Sequence, residues 1–192
     1  MQIFIEEEFW AFSLAFYGVE ENKKSLLWLQ DNVNLNVNLL LLAIYLVDEG
    51  FLITDEQFLS LNRSLFEVEK ETEKLRKARI LIGQQGKTSA AYKQALSDEL
   101  EHEKIQQKKL VESVQALGQL YGLSSKLPQK ILEEHLYMLF TVLLGERQGK
   151  CGTDRECATD RERATDRERG TDKHEQFLAH SRTLVRNYLC IE

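Results

Sequence analysis

Apolar residues recur at spacings of three and four along almost the whole chain, and no segment alternates apolar and polar residues over the length of a strand. This spacing places the apolar side chains on one face of a helix. The sequence therefore predicts an all-α fold. We expect a single-domain helical bundle of about six to seven helices that contains one long antiparallel helical pair.

Local sequence signals predict where the helices begin and end. Thr54 and Gln57 match a capping box, so a helix is expected to begin there, and Gly50 is suited to ending the helix before it. The expected antiparallel pair covers residues 65–82 and 89–121. The other predicted helices cover about 6–17, 22–32, 37–49, 131–144 and 175–189. We expect the first, the third and the last two helices to form the core.

Residues 153–173 repeat a hexapeptide that begins with Thr-Asp. Its period fits neither a helix nor a strand, and the repeat contains no apolar side chain larger than Ala or Cys, so the segment cannot bury a face. We therefore divide the chain into three parts. Residues 1–150 form a helical domain, residues 151–173 form a solvated or disordered insert, and residues 174–192 form a C-terminal helix that packs back on the domain.

Charge is distributed unevenly along the chain. The net charge is −6, yet residues 1–69 contain 12 acidic and 3 basic residues, whereas residues 70–109 contain 10 basic and 6 acidic residues. Such asymmetry reports on solvation and association rather than on chemistry. The basic segment therefore has two interpretations. It complements the acidic half of the same molecule, or it binds an external polyanion.

The sequence has no feature of an exported or membrane protein. Three cysteines are too few for a disulfide framework, which is typical of a reducing compartment. The N-terminal residues turn acidic where the apolar stretch of a signal peptide would begin. The most apolar stretch, residues 37–47, is far shorter than the ~20 residues needed to cross a bilayer. We predict a cytoplasmic protein without a membrane span.

Glu99 and His102 have the Glu-x-x-His spacing with which four-helix carboxylate proteins hold two metal ions. Such a site needs a second Glu-x-x-His, and no other histidine has a glutamate three residues before it. The sequence also contains no Gly-rich phosphate loop, no nucleophile motif and no zinc-spaced set of Cys and His. We therefore expect no metal ion and no cofactor, and we assign no catalytic residue.

In the helix predicted over residues 89–121, apolar residues spaced three and four apart form a row along one face, and Glu103 lies in this row. A carboxylate in a buried row is usually paired with a basic side chain. Arg76 and Arg79 lie on the neighbouring helix. We therefore expect Glu103 to be a buried carboxylate that meets one of these two arginines.

A cluster of five polar residues lies between two very apolar helices, and its members are Gln30, Asp31, Asn34, Asn36 and Asn38. Asn34 tolerates the left-handed conformation at a helix end, and Asn36 is suited to capping the next helix. Asn38 lies inside an apolar run and must find a hydrogen-bond partner, for which Gln30 or Asp31 is nearby in sequence. We interpret the cluster as a capping network or, alternatively, as a pocket for a ligand or a partner.

Three N-terminal elements resemble a bacterial family of small helical proteins known only as a domain of unknown function. The elements are F-W-x-F-S-L at Phe9–Leu14, L-x-L-Q-D at Leu27–Asp31 and V-N-L-L-L at Val37–Leu41. Weaker similarities lie at Leu75–Arg79 and Glu99–Glu103, and the resemblance covers roughly residues 8–121. The resemblance implies a helical fold and candidate positions, and it implies no reaction.

The chain departs from the family pattern at two polar positions. Asn34 stands where members commonly have Gly, and Asn36 stands where they have Asp. Asn replaces Gly readily in a left-handed turn. The change at Asn36 removes a negative charge, so a function that requires an anion there is not expected of this chain.

The absence of a reaction motif favours a non-catalytic protein–protein binding or scaffold module, with a protein partner or a second copy of the chain. The charged helical pair is the expected partner surface. The alternatives are a nucleic-acid-associated protein that uses residues 70–109, and an enzyme with a carboxylate-based site at Asp31 or Glu103. The candidate ligand- or partner-binding residues are Trp10, Tyr17, Gln30, Asp31, Asn38, Arg76, Arg79, Glu99 and Glu103.

Overall fold

A computed structural model of the protein describes residues 5–117, 120–122, 129–151 and 175–187. Within these ranges the chain forms eight helices and one two-stranded sheet. The predicted all-α bundle is confirmed, with eight described helices where six to seven were expected. None of the described helices is long and apolar enough to cross a membrane.

The elements follow one another with short connections over most of the chain. The two strands are β1 (Phe51–Leu52) and β2 (Tyr121–Gly122), which pair in an antiparallel sheet. The helices are α1 (Glu6–Gly18), α2 (Glu20–Val33), α3 (Val37–Asp48), α4 (Asp55–Ser64), α5 (Phe66–Gly83), α6 (Ala90–Ala116), α7 (Gln129–Cys151) and α8 (residues 175–187).

The predicted caps are present. Asn34 ends α2 in the left-handed region with φ of 56°, and the side chain of Asn36 accepts a hydrogen bond of 3.0 Å from the backbone amide of Leu39. The amide of Gln57 donates to the Thr54 hydroxyl at 3.2 Å, and the amide of Thr54 donates to the Gln57 side chain at 2.9 Å. This reciprocal pair is the predicted capping box, which satisfies two backbone donors that the start of α4 would otherwise leave open.

Helix α3 lies at the centre of the core. All its residues from 38 to 47 are buried, and helices α1, α2, α4, α6 and α7 contact it. A helix this apolar on all sides must be surrounded by other elements. Helices α1, α7 and α8 contribute the fully buried rings of Phe9, Phe140 and Phe177. The core elements expected from the sequence are therefore confirmed.

Helices α5 and α6 form the predicted antiparallel pair. Thr72, early in α5, bonds to Gln106, late in α6, whereas the later residue Arg79 bonds to the earlier residue Glu99. The two helices therefore run in opposite directions. Thr72 is buried near the base of the pair. The pair therefore joins the core at one end and extends away from it at the other.

For the helix predicted over residues 89–121, the predicted C-terminal end is wrong. α6 ends at Ala116, and Tyr121 instead pairs with Leu52 in the small sheet. The apolar spacing alone extends the helix to Tyr121, because a local pattern carries no information about a strand partner about seventy residues away. The expectation of a solvated or disordered segment for the repeat over residues 153–173 falls outside the described residues.

Candidate functional site

A network of buried side-chain amides connects α3, α5 and α6. The Oε1 atom of Gln106 accepts hydrogen bonds from Asn38 Nδ2 at 2.9 Å and from Asn36 Nδ2 at 3.3 Å. The Nε2 atom of Gln106 donates to the Thr72 hydroxyl at 2.9 Å, and Thr72 in turn donates to the backbone carbonyl of Val68. Four side chains from three helices are thus joined in the interior.

Gln107 extends this network to α1. Its Nε2 atom donates to Asn38 Oδ1 at 2.9 Å and to the Ser13 hydroxyl at 3.0 Å, and Ser13 donates to the carbonyl of Phe9 at 2.8 Å. The Oε1 atom of Gln107 is buried and accepts no hydrogen bond from the part of the chain that the structure describes. We call the joined side chains of Ser13, Asn36, Asn38, Thr72, Gln106 and Gln107 the amide network.

The expected partners of Asn38 are wrong. Asn38 bonds to Gln106 and Gln107, whereas Gln30 donates to the neighbouring Asp31 at 3.5 Å and Asp31 is exposed. Asn38 lies in the first turn of α3 and turns toward α6, so proximity in sequence did not bring it to the end of α2. The five polar residues therefore do not form one site. Asn34 and Asn36 lie at helix ends, Asn36 and Asn38 join the buried network, and Gln30 and Asp31 form a surface pair.

Sequence reasoning missed Gln106, Ser13 and Thr72 as members of this network. Thr72 and Gln107 did carry a signal, because each interrupts an otherwise apolar row of its helix. A buried polar side chain must have a hydrogen-bond partner, so two such interruptions on paired helices are candidates for contact. Gln106 lies one residue away from the row and had no comparable signal.

A surface cleft with a volume of about 210 Å³ lies where α1 meets α6. Its lining residues are Glu6, Glu7, Trp10, Lys104 and Gln107. The ammonium group of Lys104 lies 5.1 Å from the centre of the Trp10 ring, which is within cation–π distance. The cleft therefore brings the predicted candidate Trp10 to one end of the amide network, at Gln107.

A second set of contacts between α5 and α6 is a charged cluster outside the amide network. Its members are Arg76, Arg79, Glu99 and Glu103. The carboxylate of Glu99 accepts from Arg79 Nη2 at 3.2 Å and from Arg76 Nε at 3.3 Å, and it also accepts from Arg79 Nε. The paired Glu99 carboxylate raises the pKa of the Arg79 guanidinium above its usual range. Two positive charges thus surround one buried negative charge, and both oxygens of the carboxylate accept hydrogen bonds from arginines.

The prediction that Glu103 meets an arginine is confirmed for Arg76, but the more deeply buried carboxylate is that of Glu99. The side chain of Glu99 is 6% exposed, whereas that of Glu103 is 33% exposed and reaches only Arg76, at 3.7 Å. The two glutamates lie one helical turn apart on the same face of α6, so apolar spacing did not distinguish between them. Partial burial, together with the Glu99 charge, raises the pKa of the Glu103 carboxyl.

The charge of Glu103 acts on the Tyr17 hydroxyl across the α1–α6 contact. Burial raises the pKa of the Tyr17 hydroxyl, and the charge of Glu103 raises it further, while Arg76 and Arg79 act in the opposite direction. The predicted candidates Tyr17, Arg76, Arg79, Glu99 and Glu103 therefore lie in one electrostatic neighbourhood.

Glu99 and His102 do not form half of a metal site. Both oxygens of Glu99 bind arginines, and no group of three or more His, Cys, Asp and Glu side chains in the described ranges is placed to hold a metal ion. The Nδ1 atom of His102 is buried and has no hydrogen-bond partner among those residues.

Comparison with known proteins places these residues in a family. Residues 8–110 match the family described as "Protein of unknown function (DUF2390)", and this range is more than half of the 192 residues. The match confirms the predicted resemblance to a family of unknown function. The matched range contains the complete amide network and the charged cluster. No curated protein and no solved structure is significantly similar to the chain.

Proposed function

The chain belongs to this family of proteins of unknown function, and from that premise we propose that it is a non-catalytic protein-binding module. We place the binding surface at the end of the helical pair that extends away from the core. This surface, residues 74–100 of α5, α6 and their connection, is called the hairpin tip. A cytoplasmic location is part of the same proposal, supported by the small, odd number of cysteines.

The observation that carries this proposal is an exposed apolar surface on the hairpin tip. Four large apolar side chains are exposed there: Ile80 (51%), Leu81 (63%), Leu96 (46%) and Leu100 (42%). No residue from 73 to 98 is buried, although all of them are described. Four such side chains within residues 80–100 favour an interaction site, whereas singly scattered exposed apolar residues are ordinary.

The charge of the hairpin tip indicates the chemistry of the partner. Residues 74–97 contain six basic residues and no acidic residue. Arg76 and Arg79 are paired with the carboxylates of Glu99 and Glu103. Lys87 and Lys93 belong to the same segment and have no acidic residue within four positions of them in the sequence. We therefore propose an acidic amphipathic helix of another protein as the partner. Its apolar face would cover the leucines, and its carboxylates would meet the lysines.

Two alternative functions have less support. A nucleic acid would engage the lysines through its phosphates, but it would leave the exposed leucines and isoleucine in water. An enzyme with a carboxylate site would depend on Asp31, which is exposed, or on Glu103, which pairs with Arg76 and does not line the described cleft.

A photo-crosslinking experiment in the host cell tests the proposal. A benzophenone side chain replaces Leu81 at the hairpin tip or, as the matched control, replaces Phe66, which is also exposed but lies at the other end of α5. We expect position 81, and not position 66, to form an adduct with one protein that has an acidic helical segment.

Charge reversal tests the same interaction. The double variant Lys87→Glu and Lys93→Glu should abolish the adduct at position 81. Lys23→Glu with Lys24→Glu, the same charge change on α2, should leave it intact. An adduct that contains nucleic acid, or equal adducts at positions 81 and 66, would overturn the proposal. An adduct of twice the chain mass would show that the partner is a second copy of the protein and not another, acidic protein.

A further inference from the structure

We propose that the cleft between α1 and α6 binds a small organic cation that carries N–H donors, such as a primary diamine. This site is separate from the hairpin tip and does not depend on the protein-binding function. It rests on the direction of the hydrogen bonds in the amide network and on the residues that line the cleft.

The hydrogen bonds that join Gln107 to Ser13, Asn38, Gln106 and Thr72 all run away from Gln107, and Asn36 donates to Gln106 as a separate branch. Gln107 donates to Asn38, Asn38 donates to Gln106, and Gln106 donates to Thr72, whose hydroxyl donates to a backbone carbonyl. A second branch runs from Gln107 to Ser13. Both hydrogens of the Gln107 amide are therefore used, and the group that begins the network is its carbonyl oxygen.

That carbonyl oxygen requires a donor. Gln107 is 2% exposed, and its Oε1 atom has no hydrogen-bond partner among the described residues. An unpaired buried acceptor costs about 1–3 kcal/mol, so a protein group, a water molecule or a ligand normally satisfies it. Because Gln107 also lines the cleft, we assign this donor to a ligand bound there.

The other lining residues select a cation. Glu6 and Glu7 supply two carboxylates, and Trp10 supplies an aromatic face. An ammonium group already occupies part of this environment, because Lys104 Nζ lies 5.1 Å from the centre of the Trp10 ring. Lys104 is exposed, so its side chain can swing into solvent at little cost. A ligand ammonium would then take its place and reach Gln107.

The size of the cleft limits the ligand. Its volume of about 210 Å³ is below the roughly 300–1,000 Å³ of pockets that hold drug-sized molecules. A linear diamine or a single amino group on a short chain is compatible with this volume, whereas a large ring system is not.

Ligand binding should strengthen the whole network. A donor at Gln107 Oε1 polarises the amide, and each hydrogen bond that follows becomes stronger in turn. The bonds to Asn38 and Gln106 hold α3 and α6 together, so the bound ligand is expected to stabilise the fold as well as occupy the cleft.

The test uses Trp10 as the reporter. The variant Trp28→Phe removes the only other tryptophan, so fluorescence reports on Trp10 alone. Putrescine, which has primary ammonium groups, should give a saturable fluorescence change. Tetramethylammonium, which has a positive charge and neither an N–H nor an O–H donor, should bind at least about tenfold more weakly, equivalent to ~1.4 kcal/mol.

Two sets of variants keep the test falsifiable. Glu6→Gln with Glu7→Gln should weaken putrescine binding, whereas Glu20→Gln with Glu21→Gln, which removes the same charge from the start of α2, should not. Gln107→Leu should remove most of the preference for putrescine over tetramethylammonium. If that variant fails to fold, the comparison of the two cations on the Trp28→Phe protein decides. No saturable change up to about 10 mM putrescine, ten times a weak Kd of ~1 mM, would overturn the proposal. Equal binding of tetramethylammonium would also overturn it.

Discussion

Asn38 and Gln106 are joined by a hydrogen bond of 2.9 Å although they lie 68 positions apart in the chain. Each belongs to a helix that is otherwise identified by its apolar residues. Their contact places a polar connection inside the core, where a missing partner costs more than at the surface. The amide network therefore couples the central helix to the helical pair, and its removal should be measurable in stability.

Asn38→Ala should lower the free energy of unfolding by about 2 kcal/mol, because Gln106 loses a donor and Gln107 loses an acceptor in a buried region. Urea denaturation monitored by circular dichroism measures the change. Asn32→Ala is the matched control, since Asn32 is exposed and bonds only locally to Trp28. A loss no larger than that of the control, which we expect within about 0.5 kcal/mol, would show that the amide network does not stabilise the fold.

Glu99→Gln should destabilise the protein by about 2–3 kcal/mol. The change leaves Arg76 and Arg79 without their shared carboxylate, and the partial exposure of both arginines keeps the cost below the ~3–5 kcal/mol of a fully buried pair. Glu73→Gln serves as the control, because its ion pair with Lys77 is exposed and contributes less than about 1 kcal/mol. Equal effects of the two substitutions in urea denaturation would contradict a structural role for Glu99.

The stability of the protein should fall as the pH decreases through the range just below 6.5. Burial lowers the pKa of His135 and of His180, while the nearby Asp55 raises that of His135 in part. In this range the unfolded chain binds protons that the folded protein does not bind, so protonation favours unfolding. The raised pKa values of the Glu49 and Glu103 carboxyls act in the opposite direction, in the range just above 4.5.

Urea denaturation of the wild type and of His135→Gln, measured from about pH 7.5 to about pH 5.5, checks this expectation. The variant should lose part of the pH dependence. An unchanged slope would exclude His135 as one of the groups responsible.

Phe177→Ala should cost about 3–5 kcal/mol, because the ring is fully buried although it follows the hexapeptide repeat. The helix that carries it also stacks His180 on Trp28 with ring centres 4.6 Å apart, so the helix is an integral part of the bundle. Phe66→Ala, at a mostly exposed ring, is the control and should change stability by less than about 1 kcal/mol. Thermal unfolding of both variants measures the two losses of stability. Similar losses for Phe177→Ala and Phe66→Ala would show that the C-terminal helix is peripheral rather than docked on the bundle.

Local interactions made much of the fold predictable. The cap at Asn36 and the capping box at Thr54 and Gln57 join atoms only three residues apart, so residue identity and spacing sufficed to predict them. The helical pair was predictable for a related reason. A helix repeats about every 3.6 residues, and its apolar face is visible in any window of two or three turns.

The candidate site depended on contacts that no local window contains. Residue identity and spacing were enough to predict that the chain is helical, that Asn38 needs a hydrogen-bond partner and that Glu103 meets Arg76 or Arg79. The packing of distant helices brings the partners of Asn38 from α6, makes Glu99 the buried carboxylate and leaves Leu96 exposed. Helix formation is governed by neighbours along the chain. Burial is governed instead by which faces of distant helices meet.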